Sequence, residues 1–290
     1  MPQFALLLTT VVWAATFPAT KAALEQIPPI SFLFLRFLLG MILVLAVLRL
    51  GRQRLTKDAV TVRISLIATG WLFLGYVLQT VGLRSTTASN SAFITVLYVV
   101  FVPLYLRRLN ARTWMSNGIA LAGLWFLVRP TASANVGDLL TLGSAAAFAA
   151  HIACLERYTR MVDPVSLFAW QLVFMTLAML GTMGWETPTL SAFEPTPVLL
   201  VGLGVTGVLA TGAFAVQMWA QRFLPAQQVA LLFAAEPAIA AWLAWYFLGE
   251  SLDAQAWFGS AMILGSVLLG SWAIGESSRS HPEPAHSKGG

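Results

Sequence analysis

A single carboxylate stands inside a long apolar stretch of the chain. Residues 231–247 read "LLFAAEPAIAAWLAWYF", where Glu236 is the only charged residue and Pro237 follows it directly. A carboxylate at the centre of a bilayer costs about 2.5–3.5 kcal/mol on insertion scales, so it must face a polar partner or a wet cavity. Proline removes a backbone donor and frees the carbonyl of Phe233 four residues earlier. The pair predicts a polar point where Glu236 contacts a substrate ammonium, exchanges a proton, or hydrogen-bonds a neighbouring helix as a structural acid.

Arg36 and His151 are the other ionisable groups that lie well inside apolar segments. The guanidinium of Arg36 can bind a carboxylate with two parallel hydrogen bonds, or it can extend to the membrane surface or pair with an acid such as Glu236. His151 can relay protons near neutral pH or hydrogen-bond a neighbouring helix. The other two histidines are near the C-terminus and Cys154 is the only cysteine. We therefore predict no metal site and no disulfide.

Amide and aromatic side chains within the same segments are candidates for binding an uncharged or zwitterionic solute. Amides can hydrogen-bond such a solute without desolvating a charge, but they also join transmembrane helices. Interior aromatic rings can stack on planar solutes or cations, or simply pack. The candidates are Gln79, Asn90, Gln171 and Gln217 among the amides, and Trp13, Tyr98 and Trp170 among the aromatic residues.

The composition places these side chains in a membrane. The chain of 290 residues is 58% hydrophobic and 10% charged, with a mean hydropathy of +0.76, whereas about a quarter of an ordinary globular domain is charged. About 20 apolar residues cross a bilayer, and connectors rich in Pro, Gly, Asn and Asp separate ten such stretches. The predicted spans are 4–23, 31–49, 64–83, 88–106, 114–129, 137–156, 164–184, 197–220, 226–247 and 254–274.

The distribution of Lys and Arg predicts the orientation of these spans. Thirteen of them lie in the loops and tail on one side of the predicted membrane, against only Lys21, Arg84 and Arg129 on the other. The positive-inside rule assigns the basic side, and with it both termini, to the cytoplasm. Because topology and anionic lipid account for the formal charge of +5, we predict a lipid bilayer and no nucleic acid as partner.

The two halves of the chain resemble one another. "YVLQTVGLR" (76–84) resembles "FAVQMWAQR" (214–222), and "ASNSAFITVLYVVFVP" lies over "AQQVALLFAAEPAIAA", which pairs Tyr98 with Glu236. Five spans per half is an odd number, so the second half enters the membrane inverted, with a pseudo-twofold axis in the membrane plane. We predict an all-α membrane protein with ten transmembrane helices in two inverted five-helix repeats.

The domain boundaries follow from this division. Residues 1–130 form the first repeat and residues 131–275 the second, and the polar residues 276–290 form a disordered cytoplasmic tail. Two near-equivalent halves can exchange conformations, so a central site opens first to one side and then to the other.

Several of these stretches resemble the drug/metabolite transporter superfamily, and in particular its exporters built of two EamA-type domains. They are "WAATFPATKAAL" in the first span, "LRFLLG" in the second and "EPAIAAWLAWYFLGE" in the ninth, and the resemblance covers residues 4–274. It implies export of amino acids, other metabolites or drug-like molecules across the bacterial inner membrane. Among these exporters the chain is most similar to those for aromatic amino acids. The resemblance also implies a substrate path between helices 1–4 and 6–9, with helices 5 and 10 peripheral.

We therefore predict a secondary transporter that exports small amino-acid-like or aromatic metabolites by alternating access. An antiporter for phosphorylated sugars or nucleotide sugars is the main alternative, and it calls for paired Lys or Arg at the site; a passive channel is another. Proton exchange through Glu236 or His151 and facilitated diffusion are both compatible with these residues. No catalytic constellation and no cofactor are predicted, because "GLGVTG" (202–207) lies in an apolar span without βαβ context, where its glycines favour helix packing.

Overall fold

In the part of the chain that the computed structural model describes, the regular secondary structure is entirely helical. That part comprises residues 2–108, 111–128, 135–186, 195–239, 242 and 253–280, and none of these residues is in a β-strand. The prediction of an all-α protein is confirmed. The helices are α1 (Pro2–Ala23), α2 (Pro29–Leu50), α3 (Ala59–Leu83), α4 (Ala88–Thr95), α5 (Tyr98–Tyr105), α6 (Ala111–Val128), α7 (Val136–Tyr158), α8 (Pro164–Thr182), α9 (Pro197–Leu203), α10 (Ala210–Ala220), α11 (Ala226–Phe233) and α12 (Ala254–Ser280).

Capping residues account for the starts of several helices. Asp58 accepts hydrogen bonds from the backbone nitrogens of Val60 and Thr61 at the start of α3, at 3.0 and 2.9 Å. The hydroxyl of Thr61 also donates to the Asp58 carboxylate, and these hydrogen bonds lower the pKa of Asp58. Asn135 and Asp138 form a capping box at the start of α7. Each cap satisfies backbone donors that the first helical turn leaves without partners.

Six helical segments are long and apolar enough to cross a bilayer, and two shorter apolar helices accompany them. The six are Pro2–Ala23, Pro29–Leu50, Ala59–Leu83, Val136–Tyr158, Pro164–Thr182 and Pro197–Ala220, and the shorter ones are Asn90–Tyr105 and Ala254–Leu269. The count of ten spans and the side on which the termini lie stay predictions. Helix α12 extends to Ser280, so it includes residues 276–280 of the predicted disordered tail. The first proline after the start of α12 is Pro282, so no proline interrupts the helix before Ser280.

The predicted spans 88–106 and 226–247 are each interrupted. In the first, a turn at Val96–Leu97 separates α4 from α5. In the second, α11 ends at Phe233 and a turn at Ala234–Ala235 precedes a helical segment at 236–239; residues 240–241 and 243–252 lie outside the described part. The second break is the one that Pro237 predicts, because Phe233 loses its usual hydrogen-bond donor. Both turns contain a hydrogen bond between residues three apart in sequence, instead of the four of an α-helix. These bonds run from Val99 N to Val96 O and from Ala235 N to Leu232 O.

The two interruptions fall at positions that the alignment of the halves pairs with one another. Helices α4 and α11 are each eight residues long and begin and end at paired positions. Helix α3 packs on α7, and α1 packs on α9 and α10. Because the alignment pairs α3 with the α9–α10 segment, and the order of spans pairs α1 with α7, these are equivalent contacts.

Glycines allow the closest helix crossings. A Cβ at Gly82 on α3 would lie 2.7 Å from the carbonyl oxygen of Gly137 on α7. A Cβ at Gly123 on α6 would lie 2.6 Å from the carbonyl oxygen of Gly259 on α12. Small residues at such crossings let two backbones approach within van der Waals contact. Among the glycines of 202–207, Gly202 also allows a close approach of two helices, since it lies against Ala23.

Three apolar clusters make up the described interior, and the two larger ones border the site. One is centred on α5, α11 and α12, and the other on α2, α3, α8 and α10. Trp13 on α1 packs against both clusters. Trp13 therefore marks the place where the two clusters meet, and a polar cavity beside it interrupts the packing of neither cluster.

The crossing of α6 with α12 gives a stability prediction. We expect Gly123→Ala to destabilise the protein by about 1–3 kcal/mol, since the added methyl group meets backbone atoms that cannot move aside. Gly118→Ala on the same helix is the matched control, because no heavy atom lies within 4 Å of its new Cβ. Thermal unfolding in detergent micelles measures both, and equal melting temperatures for the two variants would contradict this packing.

Candidate functional site

A pocket lies between the two larger apolar clusters. About 610 Å³ of space lies between its lining atoms, a figure that includes the open space at its mouth. The lining residues are Trp13, Thr16, Phe17, Leu72, Tyr76, Gln79, Thr95, Tyr98, Phe148, His151, Ile152, Phe214, Gln217, Phe233 and Glu236.

Helical periodicity explains which residues reach the pocket. On α3, Leu72, Tyr76 and Gln79 are spaced by four and three residues, so they occupy one face of the helix. Helices α1, α7 and α10 present faces of the same spacing. Helices α2, α6, α8 and α12 contribute none of the described lining residues, so the peripheral position implied for the fifth and tenth spans stays a prediction.

The two helix interruptions supply the rest of the lining. Thr95 and Tyr98 flank the turn between α4 and α5, and Phe233 and Glu236 flank the turn after α11. Broken helices at membrane depth are tolerated where they border a cavity, because the freed backbone groups need polar surroundings. Glu236 is only 7% exposed and is the sole Asp, Glu, Lys or Arg among the described lining residues.

Two hydrogen-bond donors in the pocket are buried without a partner among the described residues. They are the indole Nε1 of Trp13 and the hydroxyl of Tyr98. Leaving a buried donor unsatisfied costs about 1–3 kcal/mol. Either donor can be satisfied by a carbonyl or hydroxyl oxygen of a solute, which favours binding over plain packing.

Hydrogen bonds orient the amides and the histidine. Gln79 Nε2 donates to Thr95 Oγ1 at 3.0 Å, and Gln217 Nε2 donates to Gln221 Oε1 at 3.0 Å. His151 Nε2 lies 2.9 Å from Gln171 Oε1. Gln171 is buried outside the pocket and its Nε2 is 3.3 Å from Leu167 O, so its oxygen faces the imidazole.

This arrangement sets the tautomer of His151. Because the Gln171 oxygen can only accept, His151 Nε2 carries a hydrogen and a neutral imidazole keeps Nδ1 as an acceptor. Gln171 is therefore a positioning residue for His151.

Arg36 lies behind the pocket rather than in its lining. Its side chain is 5% exposed, and its guanidinium carbon is 4.6 Å from the centre of the Tyr76 ring and 5.1 Å from that of Phe37. Tyr76 also makes edge-to-face contacts with Phe37 and Phe148. The positive charge of Arg36 thus faces aromatic rings, and Tyr76 stands between it and the pocket.

The structure brings together six of the ten predicted site residues: Trp13, Gln79, Tyr98, His151, Gln217 and Glu236. Gln171 and Arg36 lie directly behind lining residues. Asn90 is in the first turn of α4, where its backbone nitrogen bonds Thr87 Oγ1, and Trp170 donates from Nε1 to Thr56 O and stacks on Phe174. Substrate contact by any of the ten remains a prediction.

Sequence reasoning left out several aromatic lining residues. Phe17, Phe148, Phe214 and Phe233 are each three or four residues from a predicted site residue on the same helix or across a break. Helical spacing from Trp13, His151, Gln217 and Glu236 is therefore the signal that identifies them.

Comparison with known proteins agrees with this architecture. The model of the EamA-like transporter family matches residues 1–129 and again residues 135–272. The chain belongs to the EamA-like transporter family. It is a multi-pass membrane protein and a membrane transporter, and the predicted kinship with the drug/metabolite transporters is confirmed at this level. Export of aromatic amino acids is a finer statement, which the match leaves as a prediction.

Individual relatives cover nearly the whole chain. An uncharacterized transporter of Archaeoglobus fulgidus is 31% identical over 272 residues, which are 91% of this chain and 83% of that protein. The uncharacterized transporter YoaV of Bacillus subtilis is 22% identical over 91% of this chain and 94% of its own length. A solved crystal structure superimposes with a TM-score of 0.77 at 14% identity, covering 94% of this chain and 98% of its own, and so supports the fold.

The unpartnered hydroxyl of Tyr98 gives a test of the site. We expect Tyr98→Phe to leave the free energy of unfolding unchanged or slightly increased, because no protein hydrogen bond is lost. Gln171→Leu removes the partner of His151 and should cost about 1–3 kcal/mol. Denaturation in micelles compares the two variants, and a larger loss for Tyr98→Phe would mean that its hydroxyl has a structural partner.

Proposed function

We propose that this transporter exports small amino-acid-like or aromatic metabolites across the bacterial inner membrane by alternating access. The observation that carries the proposal is the pocket around Glu236. Its lining comes from α1, α3, α4 and α5 on one side and from α7, α10 and α11 on the other. These groups belong to residues 1–130 and 131–275, so the pocket lies between the two proposed repeats.

Matched positions within the pocket support the inverted repeat. The alignment of the halves pairs Tyr76 with Phe214, Gln79 with Gln217, Thr95 with Phe233 and Tyr98 with Glu236, and all eight residues are in the lining. A pseudo-twofold axis through the pocket makes its two sides near-equivalent. A rearrangement that opens one side then has a counterpart that opens the other.

Polar contacts between the halves lie at both ends of the helices. At the end that we assign to the cytoplasm, Glu156 of the second half binds Arg108 of the first half in a salt bridge of 2.6 Å. At the other end, Glu186 accepts from the backbone nitrogens of Ile30 and Ser31 at 2.8 and 2.9 Å. We infer that these contacts break in turn as the pocket opens to each side.

The lining chemistry favours this substrate class over phosphorylated solutes. A phosphate needs Lys or Arg donors, and the described lining residues include neither. Seven of them are aromatic, which suits a solute with a planar apolar body. Glu236, with His151, is the group available for proton exchange.

Counterflow into proteoliposomes tests the proposal. Vesicles preloaded with phenylalanine and related metabolites should accumulate labelled solute faster than empty vesicles. The reason is that a carrier which has moved an unlabelled molecule out of the vesicle can bring a labelled molecule in on its return. We expect Glu236→Gln to reduce this counterflow at least about tenfold, equivalent to about 1.4 kcal/mol. Glu25→Gln, an exposed carboxylate at the end of α1, is the matched control and should retain wild-type rates.

Two results would contradict the proposal. Equal uptake by loaded and empty vesicles would indicate a passive channel. Unchanged counterflow in Glu236→Gln, with the protein folded, would remove Glu236 from the transport cycle.

A further inference from the structure

The pocket contains one carboxyl group and, among its described lining residues, no fixed positive charge. Glu236 is the only Asp, Glu, Lys or Arg in its described lining, and His151 donates from Nε2 to Gln171, which leaves the neutral imidazole with an acceptor. Residues 240–241 and 243–252, which lie outside the described part, include no Lys, Arg or His in their sequence. A solute carboxylate therefore finds no cationic partner among these residues.

Arg36 does not fill this role in the observed arrangement. The Tyr76 ring separates its guanidinium from the pocket, and Phe37 contacts it as well. A carboxylate would reach Arg36 only if Tyr76 left its contacts with Phe37 and Phe148.

The remaining groups fit an amine with an uncharged polar end. Aromatic rings attract an ammonium group through their negative faces and do not attract a carboxylate. Glu236 supplies the counter-charge. The buried donors of Trp13 and Tyr98 suit a neutral carbonyl or hydroxyl oxygen.

We propose that the pocket selects aromatic amines with net positive charge, such as amides or esters of aromatic amino acids, over the free zwitterionic amino acids. Glu236 binds the ammonium group, the rings enclose the apolar body, and Trp13 and Tyr98 donate to the neutral oxygen. This selectivity rests on the proposed transport function, since it concerns the same pocket.

Isothermal titration calorimetry on the full chain in detergent tests the selectivity with three matched probes. Phenylalaninamide carries one positive charge, phenylalanine is a zwitterion, and N-acetylphenylalaninamide is neutral. We expect phenylalaninamide to bind at least about tenfold more tightly than either of the others. The preference should fall to within about threefold in Glu236→Gln and remain in Glu25→Gln.

The outcomes separate this selectivity from the transport proposal. The selectivity is overturned if phenylalanine binds as tightly as its amide, if the preference survives in folded Glu236→Gln, or if none of the probes binds. Should Glu236→Gln not fold, the ranking of the probes on the wild-type protein decides alone. Counterflow of phenylalanine together with weak amide binding would sink the selectivity only, whereas amide-selective binding without counterflow of any solute would sink the transport proposal only.

Discussion

Burial of the Glu236 carboxylate at the centre of an apolar helix is the constraint on which the rest of this structure depends. A charged group there is tolerated only beside water, a solute or another polar group. The chain meets this requirement by interrupting the helix at Ala234–Ala235 and by turning Glu236 toward a pocket between two apolar clusters. The cavity therefore provides the polar surroundings that offset the cost of burying the carboxylate.

The same arrangement recurs, without the charge, in the other half of the chain. Tyr98 occupies the position paired with Glu236, directly after the turn at Val96–Leu97. One half thus contributes an unpartnered hydroxyl donor and the other a carboxylate acceptor. In the proposed inverted repeat, an asymmetric site can hold a solute in one orientation while both halves move alike.

The sequence allowed prediction of those features of the structure that depend on neighbouring residues in the chain. Pro237 predicted a freed carbonyl at Phe233, the residue where α11 ends, and the apolar stretches predicted the helices. The break at Val96–Leu97 was missed, because no proline follows within one turn and only its pairing with the Glu236 region marks it. The position of Arg36 was also beyond prediction: a guanidinium on α2 can extend to the surface, enter the pocket or lie on a ring. The packing of Phe37 and Tyr76 decides among these places.

The most direct measurement is the reactivity of a cysteine placed at position 236. In a Cys154→Ser background, which removes the only native cysteine, Glu236→Cys should react with a charged methanethiosulfonate reagent in proteoliposomes. Leu268→Cys on α12, where the native side chain is 72% exposed on the apolar surface, should stay unreactive in lipid. If Glu236→Cys is as unreactive as Leu268→Cys, position 236 does not face an aqueous cavity and the account fails.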